Sequence, residues 1–311
     1  MTIILDFSSF TKARHELWLE RSYGVKAGGE ADSLRPFHYT NLWRELDRGT
    51  IYLFNHIQRP SLANPLKLVR DTILYRTFNL RETYEVMIDR WGEDFLPRVR
   101  SEELHDFLSR RERNFNGCYM RCNKLSLICE QLTALENTVE ELVMQLGSGH
   151  GPGARKTIST LYSFGGFTGV QLMLDLSWQG GPFDVEFQPK YGPGAQRGLQ
   201  HCLDAGHKDM DKLLECGSLA IPPETRPVFQ GKPIVYDFRT LEHTLCEYSK
   251  YVKLERRNGK QVKMRNYKPS ELKAEPLPFS WTEPSIVPTI TQAGMFHSLG
   301  PVPGTVPSIT Q

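Results

Sequence analysis

Apolar residues recur at three- and four-residue steps along most of the chain up to Tyr251, the spacing that lines them up on one face of an α-helix. From His38 to Ile57, Leu42, Leu46, Leu53 and Ile57 share a face and leave Asn41, Arg44 and Arg48 elsewhere, so one amphipathic helix is expected there. Comparable patterns cover Leu66–Leu80, Ser101–Arg113 and Leu125–Leu146, the last stopped at Gly147-Ser148-Gly149. Between Gly147 and Leu203, Gly and Pro separate shorter helical pieces at Ala154–Leu161, Thr168–Trp178 and Ala195–Leu203. Another helix is expected over Phe238–Val252, on the spacing Phe238, Leu241, Leu245, Tyr248 and Val252. Few stretches alternate with period two. The expected fold class is therefore mainly α with few or no strands.

After Lys273 the pattern ends. Pro276, Pro278, Pro284, Pro288, Pro301, Pro303 and Pro307 bar regular helix, and VPTITQ at Val287 is nearly repeated as VPSITQ at Val306. The expected organisation is one helical domain over 1–273, with a hairpin at 154–178, and a Pro-rich tail over 274–311 that is extended or disordered.

With 39% hydrophobic and 24% charged residues and a mean hydropathy of -0.42, the 311-residue chain has an ordinary globular composition. No apolar run reaches membrane-span length, and MTIILDFSSFTKARHE lacks the zones of a secretory signal, so an intracellular protein is expected. The 6 cysteines then read as free thiols rather than disulfides; Cys118, Cys122 and Cys129 could share a helix side, but their spacing fits no zinc or iron–sulfur pattern, and no metal site is assigned. A net charge of +2 does not announce a nucleic-acid binder. Its distribution is more telling, because Lys250–Lys273 is strongly basic with two interleaved tyrosines, which suits either a phosphate-tracking stripe or a solvated helix end.

Several local phrases could carry chemistry. In LYSFGGFTGVQLMLDL, from Leu161 to Leu176, two short helices meet at Gly165-Gly166, a turn whose following N–H groups can hold a DNA phosphate or simply pack two helices together. The second helix is apolar nearly all round and so should be buried, with Gln171 and Asp175 on one face. A buried carboxylate must be paired or used, which leaves Asp175 either a core anchor or a general base of raised pKa. HGPGARKTI at His150 and YGPGAQRGL at Tyr191 both place a base after Gly-Pro-Gly-Ala, so Gly192 and Gly194 with Arg197, and Arg155 with Lys156, are candidate anion-binding groups or plain helix starts. No Gly directly precedes Lys156, so the Walker pattern fails. Asn41, Arg44, Asp47 and Arg48 form a dense polar cluster that fits interhelical pairing or a site, as do Glu242, Glu247 and Lys250 in LEHTLCEYSKY. No Ser-His-Asp order, HExxH or dinucleotide fingerprint is present.

RHELWLERSYG near Arg14, YTNLWRELDR at Tyr39, LYRTFN at Leu74, FGGFTGVQLMLDL at Phe164, YGPGAQRGL and LEHTLCEYSKY follow one another in an order that resembles the α-glutamyl/putrescinyl-thymidine pyrophosphorylase group of amino acid:DNA transferases and its relative, the helical domain of 5-hydroxymethyl-dU DNA kinases. The resemblance spans residues 8 to 268. Gly169-Val170 departs from the Ala-Tyr that relatives favour before Gln171, and no kinase P-loop is attached.

The resemblance implies a helix-hairpin-helix, DNA-glycosylase-like fold that binds duplex DNA and swings a modified thymine into a pocket. It further implies displacement of (pyro)phosphate from an activated 5-hydroxymethyluracil by an amino acid or polyamine. In that scheme Arg44, Arg197 and Lys250 neutralise the leaving group, Asp175 or Asp47 takes the amine proton, and Asn41, Asn79 and Gln171 read the base, with Glu247 a further substrate-binding candidate. Asp184 in GPFDVEF stands about twenty residues after the hairpin, where glycosylases of this fold carry a catalytic Asp. Two alternatives stay open: excision of a modified thymine, and a non-catalytic DNA-binding partner of a separate DNA-base kinase. No cofactor is required outright, with Mg2+ a candidate, and the compartment would be the host cytoplasm for a phage protein or the nucleus for a eukaryotic one.

Overall fold

The computed structural model describes residues 4–116, 124–178, 182–183, 185, 187, 191–207, 209–229, 232–256, 266–267 and 280–281. Among them α-helices dominate. They are α1 Phe7–Tyr23, α2 Arg48–Tyr52, α3 Pro65–Phe78, α4 Arg81–Trp91, α5 Ser101–Ser109, α6 Leu125–Thr133, α7 Glu136–Gly147, α8 Gly151–Thr160, α9 Gly166–Leu176, α10 Pro193–Asp204, α11 Met210–Leu219 and α12 Phe238–Glu255. Three short strands, β1 Pro227–Phe229, β2 Lys232–Pro233 and β3 Ser280–Trp281, form an antiparallel sheet in the order β2-β1-β3. The mainly α class read from the sequence is the one observed.

Local chemistry sets the helix ends. The Asp6 carboxylate accepts from the Ser9 N–H at 2.7 Å to open α1, and Gly24, at φ 71°, closes it. Asn64 caps α3 ahead of Pro65, and Asn79 ends it in the left-handed region. Asp237 caps α12 by accepting from the Arg239 and Thr240 N–H groups.

Three of the expected helices were drawn wrongly. The helix expected over His38–Ile57 does not begin until a 3-10 turn at Arg44–Leu46, continues as α2, and ends in a π-helical turn at Leu53–Gln58. Its apolar face was read correctly, since Leu42, Leu46, Leu53 and Ile57 are all buried. The start fails because the Asn41 side chain donates to the Leu46 carbonyl at 2.8 Å and to Asp47 Oδ1 at 3.2 Å, giving the backbone a local alternative to helix. Leu125–Leu146 is two helices broken at Ala134-Leu135, where the Thr133 hydroxyl bonds back to the Cys129 and Glu130 carbonyls. The Ser101 helix stops at Ser109.

Two apolar cores result. One is built from residues between Tyr52 and Val185, centred on α3 and α9 and closed by α5 to α8. The other combines α1 and the segment to Leu46 with α10, α11 and α12. The chain passes between them at 47–51 and again near 185–195, so residues close to those crossings, Arg44, Asp47 and Thr50 among them, stand at the junction.

The tightest helix pair in the second core is α10 against α12. A Cβ on Gly198 would lie 2.0 Å from the Leu245 carbonyl oxygen, and one on Gly194 2.6 Å from Cys246 Sγ. Those glycines thus serve helix packing, with the carbonyl a neighbour that cannot give way. Gly198→Ala should cost about 1–3 kcal/mol of unfolding free energy in urea, the range for overpacking a core; a loss below about 0.5 kcal/mol would show that α10 can slide.

Candidate functional site

The junction holds a carboxylate removed from water. Asp175, on α9, is 1% exposed, as the all-apolar helix around it requires. Arg76 of α3 grips it through two bonds, Nε to Oδ2 at 2.6 Å and Nη2 to Oδ1 at 2.9 Å. Arg44, arriving from the second core, adds Nε to Oδ1 at 3.3 Å and Nη2 to Oδ2 at 3.2 Å. Both guanidinium groups are themselves placed: Arg76 donates to Asn79 Oδ1 at 2.6 Å and Thr50 Oγ1 at 2.9 Å, and Arg44 donates to Gln171 Oε1. One turn away the Gln58 amide donates to the Asp175 backbone carbonyl at 2.8 Å and accepts from the Trp178 indole N–H at 3.3 Å. With four guanidinium contacts on its two oxygens, Asp175 holds two cations at one point.

Beside this cluster lies a narrow cleft lined by residues of both cores. Arg44, Gln171 and Asp175 line it together with Arg239, Glu242 and His243 of the α12 segment. Phe54 and Trp178 line it as a stacked pair with ring centroids 4.2 Å apart. Arg239 is held by Asp237 and donates to the Ser177 carbonyl at 2.7 Å. Burial raises the pKa of Glu242 and holds the His243 imidazole well below its ordinary value, so His243 is neutral at pH 7.

Asp47 differs from Asp175. It is half-buried, and among the described residues no guanidinium bonds to it and its Oδ1 accepts only from Asn41, at 3.4 Å from the N–H and 3.2 Å from the amide. Desolvation pushes its pKa up to about 6, against the pull of Arg44, Arg14 and Arg76. That is a proton acceptor poised near neutrality.

The remaining candidates are spread more widely. Gly165 and Gly166 are exposed in the α8–α9 turn, Gly166 at φ +53°, and no side chain caps the start of α9. Arg155 does not face outward from that hairpin; it donates to the Gly166 carbonyl at 2.8 Å and fastens the turn, while Lys156 is exposed. At the start of α10 the Gly192 N–H meets Glu242 Oε1 at 3.4 Å, so the protein's own carboxylate stands where an anion was expected. Arg197 is exposed on α10, and Lys250 donates to Glu247 Oε1 at 2.5 Å. Asn79 is a helix cap that orients Arg76. Asp184, Cys118, Cys122, most of the basic stripe and nearly all of the tail lie outside the described residues. Among those described, no His, Cys, Asp and Glu group could hold a metal ion, Cys129, Cys202, Cys216 and Cys246 are free thiols, and no helix is long and apolar enough to cross a membrane.

Arg76, Gln58, Arg239 and His243 were not singled out from the sequence. Arg76 had no local signal of its own; what marks it is the depth of α3, every residue of which from Leu68 to Phe78 is buried, so that its cation needs an anion.

A family model described as 5-hmdU DNA kinase, helical domain, matches residues 2–261. The chain belongs to that family. The match takes in both cores, the cleft and the Asp175 cluster. No curated protein and no solved structure matches the chain.

Two consequences can be measured. Asp175→Asn removes the buried charge that both guanidinium groups share and should lower the unfolding free energy by about 3–5 kcal/mol; a near-neutral result in urea titration would contradict the cluster's role. Asp47 holds its proton to about pH 6 when folded but only to its ordinary 3.8 when unfolded, so the stability this gives is full at low pH and lost as pH rises through 6. Asp47→Asn removes that loss. Relative to wild type, the variant should gain about 1–3 kcal/mol between pH 4 and pH 7.5, and a pH-independent difference would refute the raised pKa.

Proposed function

We propose that this chain modifies 5-hydroxymethyluracil in DNA, replacing (pyro)phosphate on the activated 5-methylene carbon with the nitrogen of an amino acid or amine after the base has been swung out of the duplex. Membership of the 5-hmdU DNA kinase helical-domain family supports the nucleobase and the DNA. The observation that carries the reading is the cleft itself. Its lining brings a guanidinium, an amide and a stacked aromatic pair together where the two cores meet, groups whose chemistry suits a flipped base bearing an anionic leaving group once the narrow cleft widens to admit it.

In this scheme the base rests against the Phe54–Trp178 pair, and Gln171, held by Arg44, reads its edge. Arg44 and Arg239 stabilise the departing oxyanion. The amine nitrogen forms a bond to the methylene carbon, the carbon–oxygen bond to the leaving group breaks with its electrons going to oxygen, and the amine proton passes to Asp47. The α8–α9 hairpin, with exposed glycines and uncapped N–H groups at the start of α9, suits a DNA phosphate in the manner of helix-hairpin-helix modules. Arg197 and Lys250 then act as outer cations toward the DNA. Mg2+ remains a candidate counter-ion for the leaving group.

A second reading draws on the family's description as a kinase's helical domain: a DNA-binding partner of a 5-hmdU DNA kinase, without chemistry of its own. The failed Walker pattern at GPGARKT is consistent with a phosphorylating activity located elsewhere.

Duplex DNA carrying the pyrophosphorylated base, incubated with the protein and a mixture of amines, digested to nucleosides and weighed by mass spectrometry, separates these readings. Transfer predicts a new adduct, formed at least about 100-fold more slowly by Asp47→Asn. Abasic sites with free base would indicate excision instead, and DNA binding with neither product would favour the partner role.

A further inference from the structure

Each wall of the cleft is braced to its own core. On the first-core side Gln58 bonds both the Asp175 carbonyl and the Trp178 indole N–H, and Phe54 stacks on Trp178, so the end of α9 is fixed to the π-helical turn at Leu53–Gln58. On the other side the Trp43 indole N–H donates to the Val235 carbonyl at 3.3 Å, Asp237 caps α12, and α12 lies against α10 at Gly194 and Gly198. Packing this close leaves neither wall free to move without its core.

Two arginines reach across from the second core. Arg44 meets the Asp175 carboxylate through two bonds between side chains 8% and 0% exposed, on an anion that Arg76 holds as well. Arg239 is held by Asp237 on its own side and makes one bond to the other, from Nη1 to the Ser177 carbonyl at 2.7 Å. That acceptor is neutral, one of the last carbonyls of α9, and the Arg239 and Asp237 side chains remain 22% and 26% exposed. Water can take the carbonyl's place on Arg239, and Asp237 keeps the guanidinium paired in either state. Parting Arg44 from Asp175 instead strands a buried charge. The two ties therefore differ in kind, and the Arg239 tie is the one that opens first.

We infer that Arg239 is the latch of the cleft: its bond to the Ser177 carbonyl holds the two walls together, and when that bond breaks the walls part about the Arg44–Asp175 junction, which stays joined. The chain crosses between the cores at 47–51, a few residues from Arg44, so the joined end of the cleft coincides with a covalent crossing. The latch deepens the transfer reading above and rests on it for what enters, since a nucleobase reaches Phe54, Trp178 and Gln171 only if the narrow cleft widens.

Turnover cannot read the latch, because Arg239 also meets the leaving group in that scheme; the motion itself can be read without DNA. In hydrogen exchange followed by mass spectrometry on the full chain, Arg239→Gln should speed exchange at least about tenfold on both walls, in the last turn of α9 and in Ile234–Leu241. Exchange in α3 and in Leu245–Val252 should match wild type, and the thermal unfolding midpoint should stay within about 3 °C of it. Arg44→Gln should instead lower the midpoint by more than that and speed exchange throughout. Acrylamide quenching of Trp178, taken as the difference from Trp178→Phe in each background, should rise at least about twofold in Arg239→Gln. If the glutamine variant does not fold, Arg239→Lys, which keeps a charged donor but not the fork, should speed both walls at least about threefold. Faster exchange confined to the first turn of α12 would mean that a helix end merely frays, and it overturns the latch, as does unchanged Trp178 quenching. Adduct formation on DNA by a protein whose cleft ignores these substitutions would sink the latch alone. Walls that open as described, with no adduct, would sink the transfer reading alone.

Discussion

A carboxylate sealed inside an apolar helix is tolerable only if cations come to it, and in this protein they come from two different directions. Arg76 belongs to the same core as Asp175, but Arg44 sits on the stretch that leads out of the other core. One charge therefore fastens the two halves of the molecule at the point where the chain crosses between them. A buried ion cluster of this kind is a poor source of net stability, because desolvation offsets most of its attraction. What it does give is a fixed geometry, and the cleft inherits that geometry, since the cluster's own members line it.

The second constraint is backbone proximity. Gly194 and Gly198 let α10 lie against α12 closely enough that a single added carbon would strike backbone or sulfur. That approach sets where the α12 segment carries Glu242, His243 and Glu247 relative to α1. Glycines that look in sequence like a phosphate cradle are thus used to set a distance between two helices, and the polar groups that line the cleft depend on it.

Helical class, buried α9 and the placing of Gln171 and Asp175 on one buried face were legible because each follows from periodicity and from the cost of burying charge. The apolar face of the 38–57 segment was also legible, though its helix was not. Periodicity reports which side chains face the core; it does not report that Asn41 and Asp47 bond the backbone locally and hold the chain out of helix until Arg44. The partners of Asp175 were half visible. Arg44 stood in a dense polar phrase, whereas Arg76 looked like one more charge on a helix, and only the depth of α3 distinguishes it. The positions of His243 and Arg239 depend on how α12 meets α9, a tertiary contact with no local signature. Arg155 shows the converse, since a base following a glycine turn suggested an anion site but a nearer carbonyl took it.

The two aspartates of the junction divide labour by environment rather than by type. Asp175 is surrounded by four charged donor contacts and is consumed in holding them. Asp47 sits one crossing away with amide and N–H partners only, so desolvation dominates and its pKa moves toward neutrality. A proton acceptor must be able to change charge without dismantling its surroundings. Asp175 is committed to two buried arginines, whereas among the described residues Asp47 is contacted by Asn41 alone. The residue with the strongest sequence signal therefore holds the two cores together, and the half-buried Asp47 beside it is the group that the proposed transfer uses to carry the proton.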